Sequence, residues 1–398
     1  MKSIKDKKPT FELWEVLVIT LVSSVIMGLS TGYVAYRSNK NYINTGNEYI
    51  NELVKSYNNI TANYYDNIDE KSLVDAAING MLNYLGDPYT TYLDKTNTNS
   101  LTDALAGTYE GIGIEVSKNE NNEIEVKTVF DDTPSSEAGL LVGDVILKIN
   151  EEDVTTKTTT DAVAIIKSSK SSNIKLQIKR NEEIKDIDVV RKELYLPVVS
   201  SELLNQNDKN IGYIAVEKFS ETVFEQFSKE LNKLEKNSLD GLIIDLRNNT
   251  GGFLVGATKM AELFLEKGKV IYSLQSKLDN EVTKDETDEK RDYKVYILVN
   301  KSSASASEIL AAALKYSYGA KLVGTTTYGK GKVQKTSKLS DGTMYKYTSA
   351  KWLTPNGDCI DGIGLSPDLN VELSEEYANN MTKENDNQLQ MALYEIVK

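Results

Sequence analysis

Residues 242–246 read Leu-Ile-Ile-Asp-Leu and run straight into Arg247-Asn248-Asn249-Thr250-Gly251-Gly252. A short, nearly continuous apolar run that ends in a glycine turn specifies a buried strand, since it is too short for a helix and has no polar face. On its N-terminal side, residues 210–219 form another strand candidate, and Val223, Phe224, Phe227, Leu231 and Leu234 make a helical stripe. On its C-terminal side, Ala257, Met260, Ala261 and Phe264 form a second stripe, followed by strand candidates at 270–274 and 293–299. Strand, turn and helix repeated in this way imply a layered α/β core. The charged run 277–291 reads as a solvated hairpin loop.

After the last of these strands, residues 300–334 pack four serines into positions 302–307, pass through an apolar helix and reach Tyr328-Gly329-Lys330-Gly331. The chain contains no histidine, which excludes a Ser-His-Asp triad, a Cys-His dyad and any His-ligated metal. Its single cysteine, Cys359, can form neither an internal disulfide nor a cysteine cage for zinc. No metal and no cofactor is expected. A serine nucleophile in this chain needs a lysine as its base, and Ser305 with Lys330 is the candidate pair. Lowering a lysine pKa from about 10.4 to about 7 costs roughly 4.6 kcal/mol, so the amine must sit in an apolar, well-packed place. Gly329 and Gly331 permit close backbone approach there. Gln334, if the strand continues, shares the face of Lys330 by even spacing and orients it without adding charge.

Other readings of these residues compete. Ser305 with Glu308 fits a capping box, but the Lys330 partner and the missing histidine favour chemistry. Residues 324–330 resemble a phosphate loop, yet Gly331 stands where a magnesium-binding hydroxyl would be needed, and a strand follows. Ser302, Ser303 and Ser307 read as polar loop filler.

A length of 398 residues suggests two or three domains, and 40% hydrophobic with 26% charged residues marks a globular chain. The net charge of -13 argues against nucleic acid as a partner. Residues 16–36 hold 21 positions without a charge, enough for one membrane-crossing helix. Lys2, Lys5, Lys7 and Lys8 precede it, so the expected topology is single-pass with the N-terminus cytoplasmic and the remainder extracytoplasmic, at the cell membrane. The run is long for a cleaved signal peptide, and no A-x-A site follows. Residues 38–106 read as helical, with a weak amphipathic helix over 49–65 and a second over 73–85, stopped at Gly86-Asp87-Pro88.

Residues 109–194 alternate in strand fashion. Gly111-Ile112-Gly113-Ile114 opens the segment, and Ala138-Gly139-Leu140 with Gly143-Asp144 follows. These motifs resemble a PDZ domain, β-rich with two helices, in which residues 111–114 correspond to the carboxylate-binding loop. Gly111 and Gly113 let backbone N–H groups converge on an anion, and the adjoining strand edge can pair with an extended peptide.

With residues 80–93, the PDZ segment, Asp245-Leu246-Arg247-Asn248-Asn249-Thr250-Gly251-Gly252, Ser303 to Glu308, Tyr328 to Gln334 and residues 347–368 in this order, the chain resembles the carboxy-terminal processing peptidases, or tail-specific proteases. The resemblance implies Ser305 as nucleophile, Lys330 as base, Gln334 as its support, and an oxyanion hole of backbone N–H groups from Gly251 or Gly252 with Ala306. Thr250 departs from the family, which usually has proline there. The implied architecture is multidomain α/β: a cytoplasmic tail and membrane anchor (1–37), a helical segment (38–106), a PDZ domain (107–194), a peptidase core (195–375) and a C-terminal helix (376–398). The implied activity is that of a membrane-anchored serine endopeptidase that captures free C-terminal tails of protein substrates. A homodimer through the terminal helices is also implied. The alternatives are an inactive PDZ scaffold and, ranked lower, a signal-peptidase-like Ser-Lys hydrolase.

Overall fold

The computed structural model describes Met27 and residues 46–398, which fall into two compact units, one ending at Met81 and the other spanning Leu82–Lys398. In the first, helix α1 (Glu48–Asn63) starts at Asn47, whose side chain accepts from the Tyr49 and Ile50 N–H groups and satisfies two donors that a helix start leaves open. It buries no side chain. Helix α2 (Glu70–Tyr84) follows.

The expected fold class needs one correction. Among the described residues no helix is long and apolar enough to cross a membrane, so a transmembrane helix is no part of the fold seen here. Helices α1 and α2 have 16 and 15 residues and carry charges such as Glu48, Glu52, Lys55 and Asp75, which a hydrocarbon core does not accept. Residues 16–36, on which the expectation rested, lie outside the described residues apart from Met27.

The second unit opens with strand β1 (Thr91–Leu93) and helix α3 (Lys95–Ala106), which is capped by Asp94 and ended by Gly107 in the left-handed region. Next come β2 (Thr108–Gly111), β3 (Ile114–Lys118), β4 (Ile124–Val129), the short α4 (Pro134–Glu137), β5 (Val145–Ile149), β6 (Glu152–Asp153), α5 (Thr159–Ser168), β7 (Asn173–Arg180), β8 (Glu183–Val190) and β9 (Lys192–Tyr195). Strands β3, β4, β5, β7 and β8 form one antiparallel sheet in that order, while β2 pairs with β9. Alternation builds its core: Ile174, Leu176 and Ile178 of β7 point inward to Ile124, Val126, Ile146 and Ile149, and the residues between them face outward. Strand β3 pairs only with β4, so its other edge is open.

The core domain contains β10 (Val199–Gln206), β11 (Lys209–Val216), α6 (Val223–Glu235), β12 (Gly241–Asp245), α7 (Leu254–Glu262), β13 (Val270–Ser276), β14 (Asn280–Lys284) and β15 (Lys294–Val299). It continues with α8 (Ala306–Ala313), β16 (Lys321–Gly324), β17 (Lys332–Lys338), β18 (Met344–Leu353), β19 (Leu369–Asn370), α9 (Glu375–Asn379) and α10 (Asn387–Val397). The central sheet runs β10-β11-β12-β15-β16-β19, parallel throughout except for the β10–β11 pair. Every residue of β12 is buried, as its apolar run requires. Leu242 and Ile244 join Phe227 and Leu231 of α6, Met260 of α7 and Ile309 of α8 on one face. Ile243 joins Leu389, Leu393 and Ile396 of α10 on the other. Three layers result, with the C-terminal helix forming one of them. A second, antiparallel sheet joins β1, β18, β13 and β14, with β17 beside β18. The charged run 277–291 forms a hairpin as expected, but half of its first part is strand β14, and Asp285 within it is buried.

Candidate active site

The parallel strands end on a common side, and the turns leaving β12 and β15 meet there. Ser305, just before α8, has φ 57° and ψ -116°. A residue with a β-carbon in such a region costs about 1–3 kcal/mol and persists only where neighbouring bonds over-determine it. Those bonds are present. Ser303 donates to the Leu246 carbonyl at 2.8 Å and accepts from the Asn300 N–H at 2.9 Å. Ser307 donates to the Asn249 carbonyl at 2.8 Å, and the Ala304 N–H donates to the same oxygen at 3.0 Å. Ser303 and Ser307 are fully buried, so they pin the turn and are not the loop filler expected from composition. Ser302 is half-buried and donates its N–H to Asn300.

Glu308, one turn into α8 and fully buried, is the hub of the site. Its Oε2 accepts from the N–H groups of Ser305 and Lys330, each at 2.9 Å. Its Oε1 accepts from the Thr327 hydroxyl at 2.5 Å and the Gly329 N–H at 2.7 Å. One carboxylate therefore fixes both candidate residues by their backbones. The sequence signalled Glu308 only as a cap. Glu308→Gln would turn an amide donor toward these donors and is expected to lower stability by about 1–3 kcal/mol. An unchanged urea midpoint would deny Glu308 this role.

Around Lys330 the chain is tight. Gly329 sits at φ 85°, and a β-carbon there would lie 2.7 Å from the Gly364 nitrogen; one on Gly331 would lie 2.7 Å from that of Asp361. The indole N–H of Trp352 donates to the Lys330 carbonyl at 2.8 Å. Burial pushes the Lys330 amine below its ordinary pKa, and the neighbouring Lys346 ammonium adds to this; Glu308 and Asp87 oppose it. The amine lies 5.0 Å from the centre of the Tyr89 ring.

Gln334 departs from the even-spacing argument. Strand β17 starts at Lys332, beyond Lys330, and its register shifts between Val333 and Gln334, so alternation does not carry across. The Gln334 amide donates to the Thr348 hydroxyl at 3.3 Å. That hydroxyl donates in turn to Asp87 at 2.6 Å. Lys332 is ion-paired to Asp87 at 3.4 Å and Asp361 at 3.8 Å, which suits it poorly to act as a base.

The glycine turn after β12 packs against Ser305: a β-carbon on Gly251 would lie 2.8 Å from the Ser305 Cβ and 3.0 Å from the Ala306 nitrogen. Gly251 and Gly252 have φ of 94° and 148°, conformations that suit glycine. The Gly251 N–H is taken by the Asn249 side chain at 2.9 Å. Ala306 stands in the first turn of α8, where N–H groups have no partner within the helix. The Gly252 N–H, on an exposed residue, and the Ala306 N–H, on a buried one, are the other backbone donors at this turn. Asn249, fully buried and also bonded to the Val216 carbonyl at 2.7 Å, holds this loop and was not singled out in the sequence. Arg247 bonds Asp386 at 2.7 Å and so ties the cap of α10 to the same loop.

In the turn between β2 and β3, Ile112 is buried and Gly113 has φ 90°, with Thr133 so close that any β-carbon would collide. Residues 111–114 sit at the head of a groove between β3 and α5 that Val116, Ile149, Ala162 and Ile166 help to line. Ile114 begins the open strand β3.

Three stretches match known families: residues 210–371 match Peptidase family S41, residues 111–190 a PDZ domain, and residues 29–97 the Activating protease CtpB N-terminal domain. The Carboxy-terminal processing protease CtpA of Bacillus subtilis (strain 168) is 37% identical over 361 residues, covering 90% of this chain and 76% of that protein. In fold, the photosystem II D1 C-terminal processing protease superimposes with a TM-score of 0.51 at 22% identity, over 90% of this chain and 97% of the other. The chain belongs to peptidase family S41, among the carboxy-terminal processing serine proteases that carry a PDZ domain.

Proposed function

We propose that Ser305 is the nucleophile and Lys330 the general base of an endopeptidase that selects substrates by their free C-terminal tails. The observation that carries this reading is the Glu308 carboxylate, whose Oε2 accepts from the backbone N–H groups of both the strained Ser305 and the half-buried Lys330. The neutral amine of Lys330 takes the Ser305 proton as Oγ bonds to the scissile carbonyl carbon. The Gly252 and Ala306 N–H groups receive the developing oxyanion, helped by the positive end of α8. The C–N bond then breaks, Lys330 gives the proton to the leaving amine, and water hydrolyses the acyl-enzyme. Gln334 acts on Lys330 indirectly, through the Thr348 hydroxyl that it and Asp87 share.

Tail capture falls to the PDZ domain. An extended peptide adds to the open edge of β3, and its carboxylate meets the N–H groups of residues 111–114. The rival reading, a PDZ scaffold without catalysis, gives no reason to keep Ser305 strained and a lysine amine buried.

An unfolded protein offered with a free C-terminus, and the same protein with that terminus amidated, separate these readings. Cleavage of the free form is expected to be faster by about tenfold, a loss of roughly 1.4 kcal/mol for the missing charge. Equal rates would remove tail recognition and leave the peptidase. Binding of the free tail without cleavage of either form would establish the scaffold.

A further inference from the structure

Residues 86–90, Gly-Asp-Pro-Tyr-Thr, lie far in sequence from the stretch matched to the peptidase family, 210–371, yet they form one wall around Lys330. Two hydrogen bonds from Thr348 strap them to β18, and one from Thr90 to Asp87 closes the loop on itself. The Thr348 hydroxyl and the Thr90 hydroxyl each donate to Asp87 Oδ2 at 2.6 Å, and the Thr348 N–H donates to Thr90 Oγ1 at 3.1 Å. Pairing of β1 with β18, Thr91 opposite Lys346, continues the attachment. Between the strapped residues stands Tyr89, with the Lys330 and Lys332 amines 5.0 Å and 5.6 Å from its ring centre.

We propose that residues 86–90 complete the site of the base: Tyr89 is a positioning residue whose ring seats and dehydrates the Lys330 amine, and Asp87 pins that ring in place. This rests on reading Lys330 as the base. The other charged or titratable groups here are Glu308 of α8, Lys346 of β18, Lys332 of β17, Asp361 of the loop after β18 and the Tyr328 phenol beside Tyr89.

The two residues of the loop act on the amine in opposite senses. The ring attracts an ammonium, but it also keeps water away, and burial is the larger influence on Lys330. Removing the ring therefore moves the pKa up, toward the ordinary lysine value. The Asp87 carboxylate favours the ammonium, so neutralising it moves the pKa down. Asn at 87 keeps the one oxygen that both threonine hydroxyls use.

The test is the pH profile of kcat/KM for the full chain bearing Tyr89→Ala, Tyr89→Phe or Asp87→Asn, with Lys330→Arg as control. Tyr89→Ala is expected to lose about tenfold or more in kcat with KM little changed, and its acidic limb to move to higher pH. Tyr89→Phe restores most of that loss, because the ring remains. Asp87→Asn moves the limb to lower pH. General loosening of the fold would not shift two variants of one loop in opposite directions. Unmoved limbs, or a Tyr89→Phe as impaired as Tyr89→Ala, overturn the proposal. If Tyr89→Ala does not fold, the limb of Asp87→Asn decides alone. Activity in Lys330→Arg would instead defeat the underlying assignment of the base.

Discussion

Replacing Ser305 by alanine is expected to lower peptide cleavage by about 10⁴-fold or more, while tail binding and the unfolding midpoint stay near those of the parent chain. Only an oxygen is removed. The strained backbone at φ 57° is held by the Glu308 carboxylate on the Ser305 N–H and by the buried bonds of Ser303, Ser307 and Asn249 around it. The contrast with Ser303 is informative, because Ser303 sits two residues away and is fully buried. Ser303→Ala removes the partner of the Asn300 N–H and the shorter of two bonds to the Leu246 carbonyl, which keeps only the Asn249 N–H at 3.3 Å, and should lower stability by roughly 1–3 kcal/mol. What activity Ser303→Ala loses should return at temperatures where it is folded. Cleavage by Ser305→Ala comparable to the parent, measured on the same unfolded substrate, would remove Ser305 from the mechanism and with it the register of the serine motif.

The parts of this fold that could be read from the sequence are those governed by short-range periodicity. The run 242–246 became β12 because three apolar residues in a row, Leu242 to Ile244, can be satisfied only between two layers, and both layers are present. The helical stripe from Val223 to Leu234 became α6 for the same reason. Gly329 and Gly331, read as points of close approach, meet Gly364 and Asp361 at distances that exclude a side chain. Where the reading fell short, the cause was long-range geometry. The alternation argument for Gln334 assumed an unbroken strand, and a bulge between Val333 and Gln334 breaks it. Glu308 looked like a cap because its bond to Ser305 is local, while its bonds to Thr327, Gly329 and Lys330 span a strand and a loop. Asp87 and Tyr89 meet residues more than two hundred positions later, and no pattern in a single sequence encodes that.

Lys330→Arg is expected to be as inactive as Ser305→Ala. A base must be neutral to accept the serine proton, and a guanidinium keeps its proton at any usable pH. In the parent chain, burial and Lys346 hold the Lys330 pKa below its ordinary value, so activity should rise with pH through one apparent pKa below about 10.5, with no histidine to account for it. The same depression has a consequence for stability, and its sign follows from proton uptake. Between the folded and the unfolded pKa the unfolded lysine binds the proton more strongly, so the fold gains stability as pH rises through that interval. Below the folded pKa the full penalty of a buried ammonium remains. Lys330→Met removes it and should be more stable than the parent at neutral pH, the difference shrinking as pH approaches about 10.5. Lys330→Arg keeps the penalty, because its charge stays in the same apolar place. Urea unfolding of the three proteins at neutral and alkaline pH, run beside the cleavage assay, separates loss of the base from loss of the fold. Substantial cleavage by Lys330→Arg would exclude Lys330 as the base. Lys332 would be a poor substitute, since its amine is already committed to Asp87 and Asp361.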